Sequence, residues 1–217
     1  MSDYNFNPGF SFLARCWWQV SGGFIQAEQW DTLDHALAPI WVQFGSEGFV
    51  HNDHWDRYLR AEPEGVKVLQ LGPSDYRTSE HRYCELFWFG AYNLRQDRSG
   101  AKLRYEIRPY DRVWTPYNWI LENNPSPWSG YVAMRRPSQR AGALGAESTS
   151  MLWSLGGLDL SNLSKGQRHC NIELLSPSGR LARRYYKRGA WLLNTVSGTP
   201  GLISLEIENV PHPAFKG

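Results

Sequence analysis

Four short turn sequences, each set between runs of alternating apolar and polar residues, constrain this chain more than any other feature. They are Asp97-Arg98-Ser99-Gly100, Ser176-Pro177-Ser178-Gly179, Arg188-Gly189 and Gly198-Thr199-Pro200-Gly201. Gly, Pro, Ser and Asp at such points fold a chain back on itself. A strand sends every second side chain to one face, so alternation between tight turns dictates antiparallel strands and not helices.

The first of these turns predicts a hairpin over 84–108. With Gln96 opposite Ala101, Leu94 faces Leu103, Tyr92 faces Tyr105, Gly90 faces Ile107 and Trp88 lies near Pro109, all on one apolar side. The other side then carries Asn93 with Arg104, Ala91 with Glu106 and Arg95 with Lys102. Phe87 and Phe89 flank Trp88, so this strand end is expected to be covered on both faces. The later turns predict a four-strand meander over 169–209. In it Leu174 faces Leu181, Ile172 faces Arg183 and Cys170 faces Tyr185. The turn at Arg188-Gly189 then sets Leu192 opposite Tyr185, Asn194 opposite Arg183 and Val196 opposite Leu181, before a last strand from Leu202 to Asn209. Meanders of this length close readily, because closure removes unpaired edges.

Further strands are expected over 11–20, 66–71, 113–117, 131–136 and 150–155, with loops over 123–130 and 137–147. A helix is expected over 26–38 from the spacing of Trp30, Leu33 and Leu37, ended by Pro39, and a second over 52–60 capped by Asn52. The 217 residues fit one β domain over 1–217. The expectation is a mainly β fold: an antiparallel up-and-down barrel of the lipocalin or calycin kind with one or two short helices, or alternatively a β-sandwich.

Charge and composition narrow the function classes. A net charge of +2 gives no general attraction to nucleic acid or to an anionic membrane. The run Arg180, Arg183, Arg184, Lys187, Arg188 with Tyr185 and Tyr186 has the ingredients of a base-stacking platform. Alternation splits its cations between two faces, however, so it reads as a solvated strand and no nucleic-acid partner is expected. Cys16, Cys84 and Cys170 are odd in number and far apart, the start MSDYNFNPGF lacks a signal-peptide pattern, and no apolar run approaches the ~18 residues of a membrane span. A cytoplasmic protein with no membrane partner is the expectation. No GxxxxGK(S/T), GxGxxG, paired CxxC, HExxH or GxSxG motif is present, so no cofactor is expected.

What remains is an unusual pairing: eighteen arginines, eleven tryptophans and eleven tyrosines. The arginine fork matches carboxylates and phosphates and stacks on rings. In the meander, Arg183 shares a face with Leu181, Tyr185, Leu174, Ile172 and Leu192. A guanidinium there needs an acceptor that Asn194 cannot supply as a counter-charge, so it takes a ligand's acid group, snorkels to an edge, or pairs with a protein carboxylate. The ligand-binding candidates are Arg183, Tyr185, Asn194, Trp88, Tyr92 and Tyr105, with Arg104 and Arg108 at a mouth and Trp128 on a Pro-rich loop as anchor or lid. The expected function is binding of an aromatic or polycyclic carboxylated small molecule, a chromophore or a biosynthetic intermediate. One alternative is a cofactor-free isomerase, cyclase or lyase in which His54, Asp53 and Glu106 move protons; the densest titratable group, His51-Asn52-Asp53-His54, lacks an identifiable third ligand for a metal. Another is a carbohydrate-binding sandwich, disfavoured because the hairpin aromatics fall on its apolar face.

Overall fold

The computed structural model describes residues 4–21, 23–32, 37–45, 57–62, 81–94, 103–110, 119–123, 130–135 and 151–211. They form fourteen strands: β1 Tyr4–Gln19, β2 Leu37–Gly45, β3 Leu59–Ala61, β4 His81–Cys84, β5 Leu86–Leu94, β6 Leu103–Pro109, β7 Ile120–Asn123, β8 Val132–Arg135, β9 Ser154–Gly156, β10 Arg168–Leu175, β11 Arg183–Lys187, β12 Ala190–Asn194, β13 Thr199–Pro200 and β14 Ile203–Asn209. The helical segments among them are 3-10 turns at Ala27–Thr32 and Leu160–Asn162.

The framework is one large antiparallel sheet in the order β13-β11-β12-β3-β2-β1-β14-β10-β9, with β5 branching from β1, β6 from β5 and β4 from β2; β7 and β8 pair separately. β1 is its spine. This strand of 16 residues pairs with β14, β2 and β5 along different stretches. Its ladder with β5 breaks between Asn7 and Phe12. There the Ser11 hydroxyl donates to the Asn7 carbonyl (2.9 Å) and accepts from the Ala91 amide (3.0 Å), so a side chain closes the gap that a bulge leaves.

Alternation builds the core. Phe12, Ala14, Cys16 and Trp18 of β1, Ala38, Ile40, Val42 and Phe44 of β2, Phe87, Phe89 and Ala91 of β5, and Ile203, Leu205 and Ile207 of β14 all point into one cluster. A cavity bordered by Cys16, Ile40, Phe87, Leu121 and Leu174 measures about 20 Å³, room for a water and not for a ring. No helix among the described residues is long and apolar enough to cross a membrane.

Several sequence expectations change. Residues 26–38 are not one helix: Ala27–Thr32 is a 3-10 turn, and Leu37 already lies in β2, where Pro39 sits opposite Trp17. Residues 59 and 60 of the expected second helix belong to β3 instead. The 84–108 hairpin forms, but one residue out of the expected register: Tyr92 faces Arg104, Gly90 faces Glu106 and Trp88 faces Arg108. A one-residue slip turns one strand over relative to its partner, so Tyr105 lies on the opposite face from Trp88 and Tyr92. The slip carries no hydrophobic penalty because both faces of β5 are buried, Phe87 and Phe89 on one side and Trp88 and Tyr92 on the other.

The C-terminal meander is also rearranged. The turn at 176–180 forms, with Ala182 N–H donating to the Leu174 carbonyl (2.8 Å), and β11 and β12 pair in the expected register, Arg183 opposite Asn194 and Tyr185 opposite Leu192. Beyond the turn, however, β10 pairs with β14 and β9 and not with β11, while β14 lies beside β1. The expected strands at 66–71 and 113–117 and the loop at 137–147 lie outside the described residues.

Candidate functional site

Five of the sequence candidates meet on the outer face of the β5–β6 hairpin: Trp88, Tyr92, Arg104, Glu106 and Arg108. The indole of Trp88 lies flat across Gly90; a Cβ at Gly90 would stand 2.1 Å from the ring. Beside it the Tyr92 hydroxyl donates to Glu106 Oε2 (3.3 Å), and Arg108 Nε donates to Glu106 Oε1 in an ion pair. Glu106 is 2% exposed and Arg108 8%. Burial, with the Glu106 charge adding to it, holds the Tyr92 phenol well above its ordinary range, so the hydroxyl remains a donor. Leu152, Tyr4 and Phe6 pack over Tyr92, and Arg104 Nη1 donates to Ser154 Oγ. Both oxygens of the carboxylate are thus engaged inside the chain. The cluster ties β5 and β6 to residues 152–154.

Tyr105 faces the other way, into the core, with its ring edge-on to Phe12 at 5.8 Å. Its buried hydroxyl has no hydrogen-bond partner among the described residues, and burial raises its pKa. The expected acid/base pair, Asp53 and His54, lies outside the described residues, as does Trp128. Among the described residues no three His, Cys, Asp or Glu side chains gather to hold a metal ion.

The remaining candidates lie on β11 and β12. Arg183 does not point into the core. It is half-buried on the face shared with Tyr185, Leu192 and Asn194, and its Nη1 donates to the Gly198 carbonyl at 2.9 Å, an exposed tie between β11 and the turn before β13. Asn194 Oδ1 accepts from the amides of Val196 (2.7 Å) and Ser197 (2.9 Å), a role within the turn. Tyr185 packs near Tyr131, 6.3 Å between centroids. That face is covered by a second small cluster of Tyr131, Ala190 and Leu192 with Tyr58, which is why an apolar set around Arg183 is visible in the sequence without being the core.

The inward guanidinium belongs to the next residue. Arg184 sits opposite Leu193, and Leu193 and Ala182 on the same face are both core members. Arg184 is 8% exposed. Its Nε donates to the Ala61 carbonyl (2.9 Å) and its guanidinium carbon lies 4.1 Å over the Trp191 ring. Among the described residues this is its whole hydrogen bonding: the two terminal nitrogens find no protein acceptor there. Burial lowers its pKa, with Glu62 opposing the shift. Glu62 Oε1 accepts from the Trp191 amide at 2.9 Å, so the carboxylate is held at the backbone of the residue whose ring Arg184 covers. Outward from Arg184 the face ends in Tyr186 and Trp191, 5.0 Å apart and 55% and 37% exposed.

Sequence reasoning singled out Arg183, whereas the arginine that faces the core is its neighbour Arg184; it named Tyr186 only within the basic run and did not weigh Glu62 or Trp191. The signal for Arg184 was Ala182: a small side chain two residues away marks the crowded inward face, where the bulkier Leu181 and Tyr185 flank the other. No protein-family model matches this chain, and no curated protein matches its sequence.

Proposed function

We propose that this chain binds a small molecule with an aromatic surface and an acid group, a chromophore or a biosynthetic intermediate, at the Arg184–Trp191–Tyr186 end of the sheet. The observation that carries this reading is Arg184, a residue 8% exposed that stacks on Trp191 and whose terminal nitrogens reach solvent with no acceptor among the described residues. Guanidinium nitrogens that reach solvent beside two rings are placed to pair with a ligand's acid oxygens while the rings take its aromatic surface.

The scaffold we propose for it is a closed barrel of the lipocalin kind. In support, Tyr105 and Trp153 exchange two backbone hydrogen bonds of 2.8 Å each, linking β6 to the residue before β9. Continued through that link, neighbours would run β1-β5-β6-β9-β10-β14 and return to β1. The proposed setting is the cytoplasm, in keeping with three cysteines none of which forms a disulfide.

Thermal denaturation with a panel of planar acids, 2-naphthoate among them, tests the reading. At a ligand concentration of about 100 times Kd, stabilisation is about 2.7 kcal/mol, a rise in Tm of roughly 5–10 °C for a chain of this size. Arg184→Met is expected to abolish the rise. A panel that leaves Tm unmoved, or an Arg184→Met protein that responds as the parent does, overturns it.

A further inference from the structure

We infer that residues 23–32 form a strap across the face of β1, β14 and β10 opposite the core, and that this strap gates Cys170 as a modification site for low-molecular-weight disulfides. The strap is fastened on both flanks of that thiol. On one flank the Asn171 side chain closes two hydrogen bonds on Ile25, Oδ1 accepting from its amide at 2.9 Å and Nδ2 donating to its carbonyl at 2.8 Å. Asn171 sits where the β10–β14 ladder breaks between His169 and Ile172, and there it takes a positive φ of 61° and departs from strand alternation. On the other flank Trp30 stands edge-on to Trp17, 4.9 Å between centroids, with the Arg168 guanidinium 5.3 Å over its ring. Cys170, half-buried, lies between Arg168 and Asn171.

A chain of polar groups on this face leads to the thiol. Ser204 is the cross-strand partner of Trp17. Gln19, 0% exposed, donates through Nε2 to Ser204 Oγ at 2.9 Å, and the Ser204 hydroxyl in turn hydrogen-bonds the Cys170 sulfur. The other end of the same amide, Gln19 Oε1, is buried with no hydrogen-bond partner among the described residues. A closed strap thus leaves a dry carbonyl oxygen at the head of this chain, and lifting it admits the water that satisfies that oxygen, which offsets part of the cost of opening. Little else resists: of the strap's described side chains only Ile25 and Trp30 are buried, and Phe24 is 85% exposed. Lifting also changes the chemistry. Burial raises the Cys170 pKa, the Ser204 hydrogen bond lowers it, Glu28 raises it and Arg168 lowers it. Glu28 leaves with the strap, whereas Ser204 and Arg168 belong to the strands and stay, so an open strap favours the thiolate. The thiolate sulfur then attacks one sulfur of the disulfide, and the original S–S bond breaks as the mixed disulfide forms. The departing thiolate takes up the proton that Cys170 gave up, so Cys170 is oxidised and the released thiol is the reduced product.

The test follows the coloured thione that the neutral disulfide dithiodipyridine releases on reaction with the full chain. The parent protein is expected to react slowly and at Cys170, with Cys16 and Cys84 silent in the core, and Cys170→Ser to remove that reaction. Asn171→Gly tolerates the positive φ and removes both bonds to Ile25; it is expected to speed the reaction roughly tenfold, the worth of two hydrogen bonds in an opening equilibrium. Trp30→Ala, which leaves β10 unaltered, is expected to speed it as well, and it carries the test if Asn171→Gly loses the parent's circular-dichroism spectrum. Rates unchanged in both variants overturn the inference, as does a parent whose Cys170 reacts as fast as the urea-unfolded chain. So does reaction of Cys16 and Cys84 in step with Cys170, because the thiol is then reached by global unfolding and not by lifting of the strap.

Discussion

The β5–β6 face and the β11–β12 end use the same three components, a buried arginine, a carboxylate and large aromatics, and reach opposite results. On β6, two residues of one strand supply both charges, so Arg108 and Glu106 sit side by side and Tyr92 takes the remaining oxygen. On β11, the carboxylate comes from Glu62 at the end of β3 and is held by the Trp191 amide. The first arrangement consumes its polarity internally and becomes a fastening. The second keeps donors in reserve. Burial of a charge therefore says little about function until its hydrogen bonds are followed to their ends.

The comparison breaks most visibly in stability. Arg108→Met strands Glu106 in an apolar layer and is expected to cost about 3–5 kcal/mol, whereas Arg184→Met, which strands no acceptor but a backbone carbonyl, is expected to cost about 1 kcal/mol; urea denaturation of the two variants measures both. Equal losses would erase the distinction. Next in size, Gly90→Ala forces a methyl into the Trp88 indole and is expected to cost about 1–3 kcal/mol, again visible in the urea midpoint. A cost near zero would mean that the ring does not lie where the fastening requires it.

The smallest effect lies in pH. The folded Tyr92 phenol titrates above its ordinary value of 10.0, because burial and Glu106 disfavour its anion. Below pH 10 the unfolded chain also keeps this proton and nothing changes; above it the unfolded state alone ionises, so stability falls as pH rises. Tyr92→Phe is expected to remove up to about 1.4 kcal/mol per pH unit of that fall, read as a shallower decline of the denaturation midpoint between pH 10 and 11. An unchanged slope would place Tyr92 in contact with solvent.

Local chemistry was legible in the sequence and long-range pairing was not. The Arg188-Gly189 turn is readable because both residues adopt positive φ, 48° and 83°, the pair of conformations a two-residue hairpin turn requires. It fixed the whole β11–β12 register. Alternation likewise located β8 and the second half of β1, whose start at Tyr4 it missed. Parity failed wherever both faces of a strand are covered: β5 hid its register between two apolar sides, and β11 hid its inward arginine between Ala182 and Tyr185. The partners of β10 and β14 were beyond reach because nothing local distinguishes one apolar strand from another as a neighbour. Glu62 was invisible for a related reason, since its bond to Trp191 joins positions 129 apart.

The pairing of β1 with β14 has a consequence for biosynthesis. Cys16 finds Leu205 and Ala14 finds Ile207 only after every intervening strand has left the ribosome. Until then the longest strand presents an unsatisfied edge, and its contacts with β14 reach across almost the whole described fold, a combination that slows folding and invites aggregation of the nascent protein.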